Sequence, residues 1–258
     1  MSIQPKKSLG QNFLQDKNIA QKIVQSLLAG PDDLVLEIGP GTGALTQFLF
    51  RTYPNYKAIE LDSRAVDLLN VAYPGIQLIE KSVLDVNFAD YRTSEKQRIF
   101  VIGNIPYYIT SPILFHLFDQ AACIHQSVIM MQLEVAQRLT AQKRTKEYGI
   151  LTIQTEFFST ATILFKVPRQ VFYPQPNVDS AVVSFMMHQH QHAEIITEFK
   201  LLVRTAFNQR RKKLSNALKI LGLNLEVFEE WKDKRAEELT TEEFIRMAEL
   251  FKESTKLA

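Results

Sequence analysis

A chain of 258 residues, 46% hydrophobic and 22% charged, can bury a sizeable core and has the composition of a globular protein rather than a disordered or fibrous one. Its net charge of +2 does not mark a nucleic-acid binder by composition, although basic groups can still cluster locally. A single cysteine, Cys123, excludes an intrachain disulfide and a cysteine-rich metal site, and no stretch approaches the roughly 18 apolar residues of a membrane span.

Lys6 and Lys7 are not followed by an apolar run, so no secretory signal is read there, and a reducing cytoplasm is the expected compartment. The first strand expected is Leu34–Ile38, followed by a helix over Leu45–Arg51. Lys57–Leu61, Gln77–Ile79, Ile99–Ile102 and Val128–Met131 read as further strands, with helices over Arg64–Ala72 and Pro112–Ala121 between them. Ser111 is the expected N-cap of the latter and Pro112 its first residue. Near-continuous apolar strands alternating with helices predict a mostly parallel sheet covered on both faces. Leu151–Phe157, continuing through Thr162–Val167, and Ala181–Phe185 break the alternation and predict an antiparallel hairpin at the sheet edge.

After about His188 the pattern becomes helical and charged. Residues 189–193 read as a linker; helices are expected over Ile195–Phe207, Arg211–Leu221, Leu225–Trp231 and Thr241–Lys252, with Thr240 or Thr241 and Glu243 as a capping signature. The expected division is an α/β catalytic domain over 1–188 and a small all-α domain over 189–258.

The chemistry gathers at the strand ends. Glu37-Ile38-Gly39-Pro40-Gly41-Thr42-Gly43 joins a strand to a helix, and its glycines permit close approach of a ligand at the switch point of such a sheet. Glu60 ends the next strand, placed to accept from ribose hydroxyls, and Asp85 follows the third, placed to accept from an adenine amine. Together they describe an adenosine-containing cofactor. A nicotinamide cofactor also fits the formal Gly39-x-Gly41-x-x-Ala44 pattern. The tighter Gly39-x-Gly41-x-Gly43 spacing behind an acid favours S-adenosylmethionine instead. Asn104-Ile105-Pro106-Tyr107 has no role in hydride transfer, but it suits gripping a base amine: an amide acceptor, a rigid turn and a ring to stack.

Four motifs in order resemble the ribosomal RNA adenine dimethyltransferases, in particular the small-subunit (16S) enzymes: Ser8-Leu9-Gly10-Gln11-Asn12-Phe13-Leu14, Gly39 to Gly43, Asn104 to Tyr107, and Phe172-Tyr173-Pro174-Gln175-Pro176-Asn177-Val178-Asp179-Ser180. The resemblance runs from about Lys6 to Lys213, with Ile105 where relatives often carry Leu and Lys7 where many carry Arg. It implies a Rossmann-like class I methyltransferase fold. It also implies cofactor contacts from Asn12, Leu14, Gly39, Gly41, Glu60, Asp85 and Asn104. Asn104 and the Pro106 turn would hold the target amine, with Tyr107 on one face of the adenine and Phe172 on the other. The implied target is two adjacent adenosines in a hairpin near the 3′ end of 16S rRNA, in an immature small subunit, with the enzyme a monomer.

RNA contact is expected from Lys6, Lys7 and the run Arg210, Arg211, Lys212 and Lys213, read as the start of a helix and extended by Lys200, Arg204 and Lys219. His116, His125, His188, His190 and His192 are scattered, so no metal site is expected. Two alternatives remain: a large-subunit adenine methyltransferase of the macrolide-resistance type, and a non-catalytic RNA-binding assembly factor.

Overall fold

A computed structural model describes residues 3–6, 9–188, 192–221 and 228–256. Lys7, Ser8, His190 and the first part of the helix expected over 225–231 lie outside the described residues. The chain forms two compact units: residues 1–136 with 159–187, and residues 137–158 with 188–258.

In the first unit, β2 (Leu34–Ile38), β3 (Tyr56–Glu60), β4 (Gln77–Glu80), β5 (Ile99–Asn104) and β6 (Ile124–Gln132) are mutually parallel. β9 (Ser180–Met187) runs antiparallel to β6, and β7 (Ser159–Val167) closes the edge antiparallel to β9. The sheet order is β4-β3-β2-β5-β6-β9-β7. All five residues of β2 and the first five of β5 are buried, as strands covered on both faces require. The expected edge hairpin is therefore present. The helices on the sheet include α2 (Thr46–Thr52), α3 (Ser63–Ala72) and α4 (Thr110–Asp119).

A helix missed from the sequence, α1 (Lys17–Gln25), begins at Asp16, whose carboxylate caps the backbone N–H groups of Asn18 and Ile19. Asp16 before Ile19, Ile23 and Val24 was the available signal. β1 (Phe13–Leu14) pairs antiparallel with β8 (Phe172–Tyr173), tying the N-terminal motif to the Phe172 motif.

Two local expectations are corrected. Leu151–Phe157 is helix, within α6 (Ile150–Phe158), not strand. Its Ile, Thr and Phe residues are β-formers, but most are buried in the second unit, and packing overrides propensity. The threonine hydroxyls are satisfied there: Thr155 Oγ1 back-bonds to Leu151 O at 2.7 Å, and Thr152 Oγ1 donates to the Arg138 carbonyl of α5 (Leu133–Leu139) at 2.6 Å. Residues 137–158 thus cluster with residues 188–258. Helix α4 starts at Thr110 rather than Pro112, with Ile109 in the capping position and no capping contribution from Ser111. Pro112 still falls in the first turn, where its missing N–H costs nothing.

The second unit holds α6, α7 (Ile196–Asn208), α8 (Leu214–Ala217) and α9 (Thr241–Lys256). Thr240 and Glu243 form a reciprocal capping box: Glu243 N donates to Thr240 Oγ1 at 3.2 Å, and Thr240 N donates to Glu243 Oε2 at 2.8 Å. Arg211, Lys212 and Lys213, expected to open a helix, precede α8 in a turn.

Candidate active site

The order of the sheet reverses between β2 and β5, where the chain moves outward in opposite directions from adjacent parallel strands. Ligands of open α/β sheets bind beyond the strand ends at such a point. Here the C-terminal ends of β2 and β5, the loop after β3 and the N-terminal segment 9–14 enclose one cleft.

The glycine loop shapes one wall. Gly39, Gly41 and Gly43 all have positive φ, at 64°, 55° and 85°. A Cβ on Gly41 would lie 3.0 Å from the Phe13 ring, so a side chain there would press on the N-terminal segment at a φ that already favours glycine. Glu60 is 8% exposed, and its carboxylate is already oriented: Oε1 accepts from the N–H groups of Leu61 and Asp62 at 2.8 Å, and Oε2 from Gly41 N at 3.0 Å. Burial raises its pKa despite these donors.

Glu37 lies deeper. Its Oε2 accepts from the Tyr56 hydroxyl at 2.5 Å and from Thr46 Oγ1 at 2.8 Å. Burial pushes its pKa from 4.5 up to about 7. Between these values the folded protein keeps a proton that the unfolded chain has released, so stability falls as pH rises through the window. Glu37→Gln preserves the hydrogen-bonding shape and removes the titration. Its stability relative to the parent is expected to rise across that window by up to about 3 kcal/mol. Urea unfolding of both proteins on either side of the window measures this, and a pH-independent difference would contradict it.

On the opposite wall, Asn104 ends β5. Its Nδ2 donates to the backbone carbonyl of Asn12 at 3.1 Å. A carbonyl only accepts, so this contact assigns the amide: nitrogen toward Asn12, Oδ1 left as an acceptor on the cleft side. Pro106 O takes Ile109 N and Thr110 Oγ1, both at 3.3 Å, closing the turn after β5. The carbonyl of Ile105 takes no part in that closure. Tyr107 is half-buried, and its hydroxyl meets Ser180 Oγ at 2.7 Å, which fixes the ring from the end of the Phe172 motif.

The cleft brings together Asn12, Leu14, Gly39, Gly41, Glu60, Asn104, Pro106 and Tyr107 among the expected site residues. It does not bring in Phe172 or Asp85. Phe172 is 4% exposed and packs in the apolar core beside Leu14, so its ring supports the wall from behind. Asp85 is exposed in the turn after β4, and Lys81, Ser82 and Val83 line the cleft from that segment. Sequence reasoning missed Tyr108, a wall residue 58% exposed and packed on Gly10. The signal was a second aromatic directly after Tyr107.

The basic run divides by partner. Arg210 Nε pairs with Glu237 at 2.7 Å, and its two terminal nitrogens donate to the carbonyls of Lys146 and Thr145 at 3.0 and 2.8 Å. Its guanidinium staples the second unit and has little left for phosphate. Lys213 pairs with Asp233 at 2.7 Å. Arg211 and Lys212 are exposed, as are Lys6 in the first unit and Arg204 on α7.

A family model for ribosomal RNA adenine dimethylases matches residues 3–253. The ribosomal RNA small subunit methyltransferase A of Prosthecochloris aestuarii is 48% identical over 214 residues, covering 83% of this chain and 81% of that one. Its counterpart in Chlorobium chlorochromatii is 46% identical over 248 residues, covering 96% and 94%. Among solved structures, a dimethyladenosine transferase from Plasmodium falciparum superposes with a TM-score of 0.78 at 27% identity, covering 95% of this chain and 98% of that one. A 23S rRNA methyltransferase shares the fold, with a TM-score of 0.67 at 24% identity over 93% of this chain and 100% of that one. Sheet order, glycine loop and strand-end acids together define a Rossmann-like class I methyltransferase. Within that class, the chain belongs to the ribosomal RNA adenine dimethylase family.

Proposed function

We propose that this protein transfers methyl groups from S-adenosylmethionine to N6 of two adjacent adenosines in a hairpin near the 3′ end of 16S rRNA, giving N6,N6-dimethyladenosine. It would act in the cytoplasm, as a monomer, on an immature small ribosomal subunit. The observation that carries this reading is the Asn104 amide, turned by the Asn12 carbonyl so that Oδ1 remains as an acceptor in a cleft whose other wall is the glycine loop.

The cleft fits the cofactor. A Cβ on Gly39 would meet only the Asn104 carbonyl, at 3.8 Å, so the loop leaves room there that a side chain would fill, and Glu60 retains a lone pair on Oε2 for a ribose hydroxyl. Asn12, Leu14 and Asn104 would contact it from the facing wall, and Ser82, rather than the exposed Asp85, from the turn after β4. The bound cofactor supplies an electrophilic methyl on a sulfonium, so the chain needs no nucleophile of its own.

An aromatic amine is a poor nucleophile because its lone pair is delocalised into the ring. Acceptance of its N–H groups by Asn104 Oδ1 and the Ile105 carbonyl favours a pyramidal nitrogen and stabilises the positive charge that develops there. Pro106 sets the turn that aims that carbonyl. Tyr107, fixed by Ser180, offers a face to the adenine, and the exposed ring of Tyr108 adds a second aromatic surface. Each such stack is worth ~1–3 kcal/mol. The adenine must leave its stack to enter the cleft, which costs least in a loop.

Mass analysis of RNA from unmodified small and large subunits, after incubation with protein and cofactor, tests the reading. Two dimethyladenosines in small-subunit RNA are expected. Modification of large-subunit RNA alone would shift the assignment to the other adenine methyltransferase class, and cofactor binding without transfer to either would leave an assembly factor.

For RNA affinity, Arg211 and Lys212 are proposed to contact phosphate. Neutralising each is expected to reduce the slope of log K against log salt by up to about 1 and to weaken binding evenly across sequences. Arg210→Ala is expected to lower the unfolding midpoint instead, because it strips contacts from Thr145, Lys146 and Glu237. Salt titrations beside thermal melts separate the two outcomes; an unchanged slope for Arg211 and Lys212 would move the RNA surface elsewhere.

A further inference from the structure

A polar cluster beside the cleft has no part in the chemistry above. Asp62 follows Glu60 by two residues and is buried, its side chain 1% exposed. Its Oδ1 accepts from Arg64 Nε at 2.9 Å and Arg64 N at 3.3 Å; its Oδ2 accepts from Arg64 Nη2 at 2.6 Å and Gln11 Nε2 at 2.9 Å. Gln11 comes from the N-terminal segment, 51 residues away. Its other amide atom, Oε1, accepts from Lys6 N at 2.9 Å, and Arg64 Nη1 donates to Gln4 O at 3.1 Å. The pair therefore grips the segment at two points. The residue after Gln11 is Asn12, whose carbonyl turns the Asn104 amide. Asp62 also reaches the other wall, since its N–H donates to Glu60 Oε1 at 2.8 Å.

We propose that Gln11, Asp62 and Arg64 are positioning residues for methyl transfer: the Asp62–Arg64 pair fixes Gln11, and through it the Asn12 carbonyl that aims Asn104. This rests on the methyltransferase reading and assigns it a second layer of residues. Arg64 holds both oxygens of Asp62 independently of Gln11, so loss of the Gln11 amide leaves the buried carboxylate paired while the segment loses the anchor next to Asn12 and keeps only the one at Gln4. Misplacement of a reacting group by about 1 Å can cost ~10²-fold. Because Asn104 keeps its place on β5, a loss of about 10-fold in kcat is expected here.

The test compares Gln11→Ala, Gln11→Glu and Gln11→Lys in methyl transfer to small-subunit RNA. Ala and Glu are expected to lower kcat about 10-fold with both KM values within about 3-fold, whereas Lys, which restores a donor to Asp62, keeps kcat within about 3-fold. The Glu variant is expected to recover part of its loss as pH falls, since a protonated carboxyl again donates to Asp62; a purely structural role would show no such recovery. A parent without transfer would overturn the methyltransferase reading and leave the Gln11 anchor to a second measurement. That measurement is the NMR signal of the Asn104 side-chain amide, expected to shift in Gln11→Ala and to return in Gln11→Lys. An unmoved amide signal, or parental kcat in Gln11→Ala, overturns the proposal.

Discussion

Asn104→Ala is expected to slow methyl transfer by about 10²–10³-fold while leaving affinity for the cofactor within a few fold. The amide ends β5 at the cleft, where its Nδ2 is committed to the Asn12 carbonyl and its Oδ1 is the acceptor proposed to meet the base amine. Truncation removes an interaction that strengthens as charge develops on the amine, so the loss falls on kcat rather than on binding. Cofactor affinity is proposed to rest mainly on the glycine loop and Glu60, which are bonded to each other rather than to this side chain. Asn104→Asp separates the two halves of the role. It keeps an acceptor but turns a carboxylate oxygen toward the Asn12 carbonyl, and an intermediate loss is expected. Single-turnover kinetics with calorimetry of cofactor binding measure both quantities; an Ala variant that transfers at the parental rate would remove Asn104 from the chemistry.

The second large effect comes from the residue before it. A Cβ on Gly103 would lie 2.7 Å from Ile38 O and 3.2 Å from Ile38 Cβ, across the β2–β5 register where Ile38 and Gly103 are partners. The conflict is with backbone in a fully paired parallel sheet, so no side chain can swing aside to relieve it. Gly103→Ala is expected to cost about 1–3 kcal/mol of stability as an overpacked core substitution. Because Asn104 is the next residue, parting the strands also shifts the amide, and kcat is expected to fall at least 10-fold even where the variant is fully folded. Gly149→Ala is the control: nothing lies within 4 Å of its Cβ position, and a change under about 1 kcal/mol is expected. Equal stability and activity for the two variants would show that the close approach of β2 and β5 is not required.

The alternation of apolar strands with amphipathic helices made the parallel sheet legible. All five parallel strands occur within two residues of their expected starts, except β6, which begins four residues early at Ile124. The elements that were misread share a cause. α6 is buried on most sides, so its sequence carries no periodic polar face, and its β-forming residues suggested a strand. The short α1 was hidden because its evidence was a single cap and three buried positions. At the site, the glycine loop, Glu60, Asn104 and Tyr107 were readable because each closes or follows an apolar strand. Phe172 and Asp85 do not line the cleft, and chain order does not say which way a short strand or turn presents a side chain.

The sequence by itself determined the class of chemistry: glycines that must adopt positive φ, an acid at the end of the following strand, and an amide before a proline turn are local demands that chain order preserves. Only the tertiary structure decided which way the Asn104 amide faces, that Ser180 fixes Tyr107, and that Gln11 is anchored by Asp62. It likewise decided that Arg210 serves the fold, whereas Arg211 and Lys212 remain exposed. These contacts join residues 51 to 92 positions apart, and local propensity carries no information about which distant carbonyl or carboxylate a polar side chain will meet. Charge and hydrogen-bonding capacity are properties of a residue, but the partner that uses them is a property of the fold.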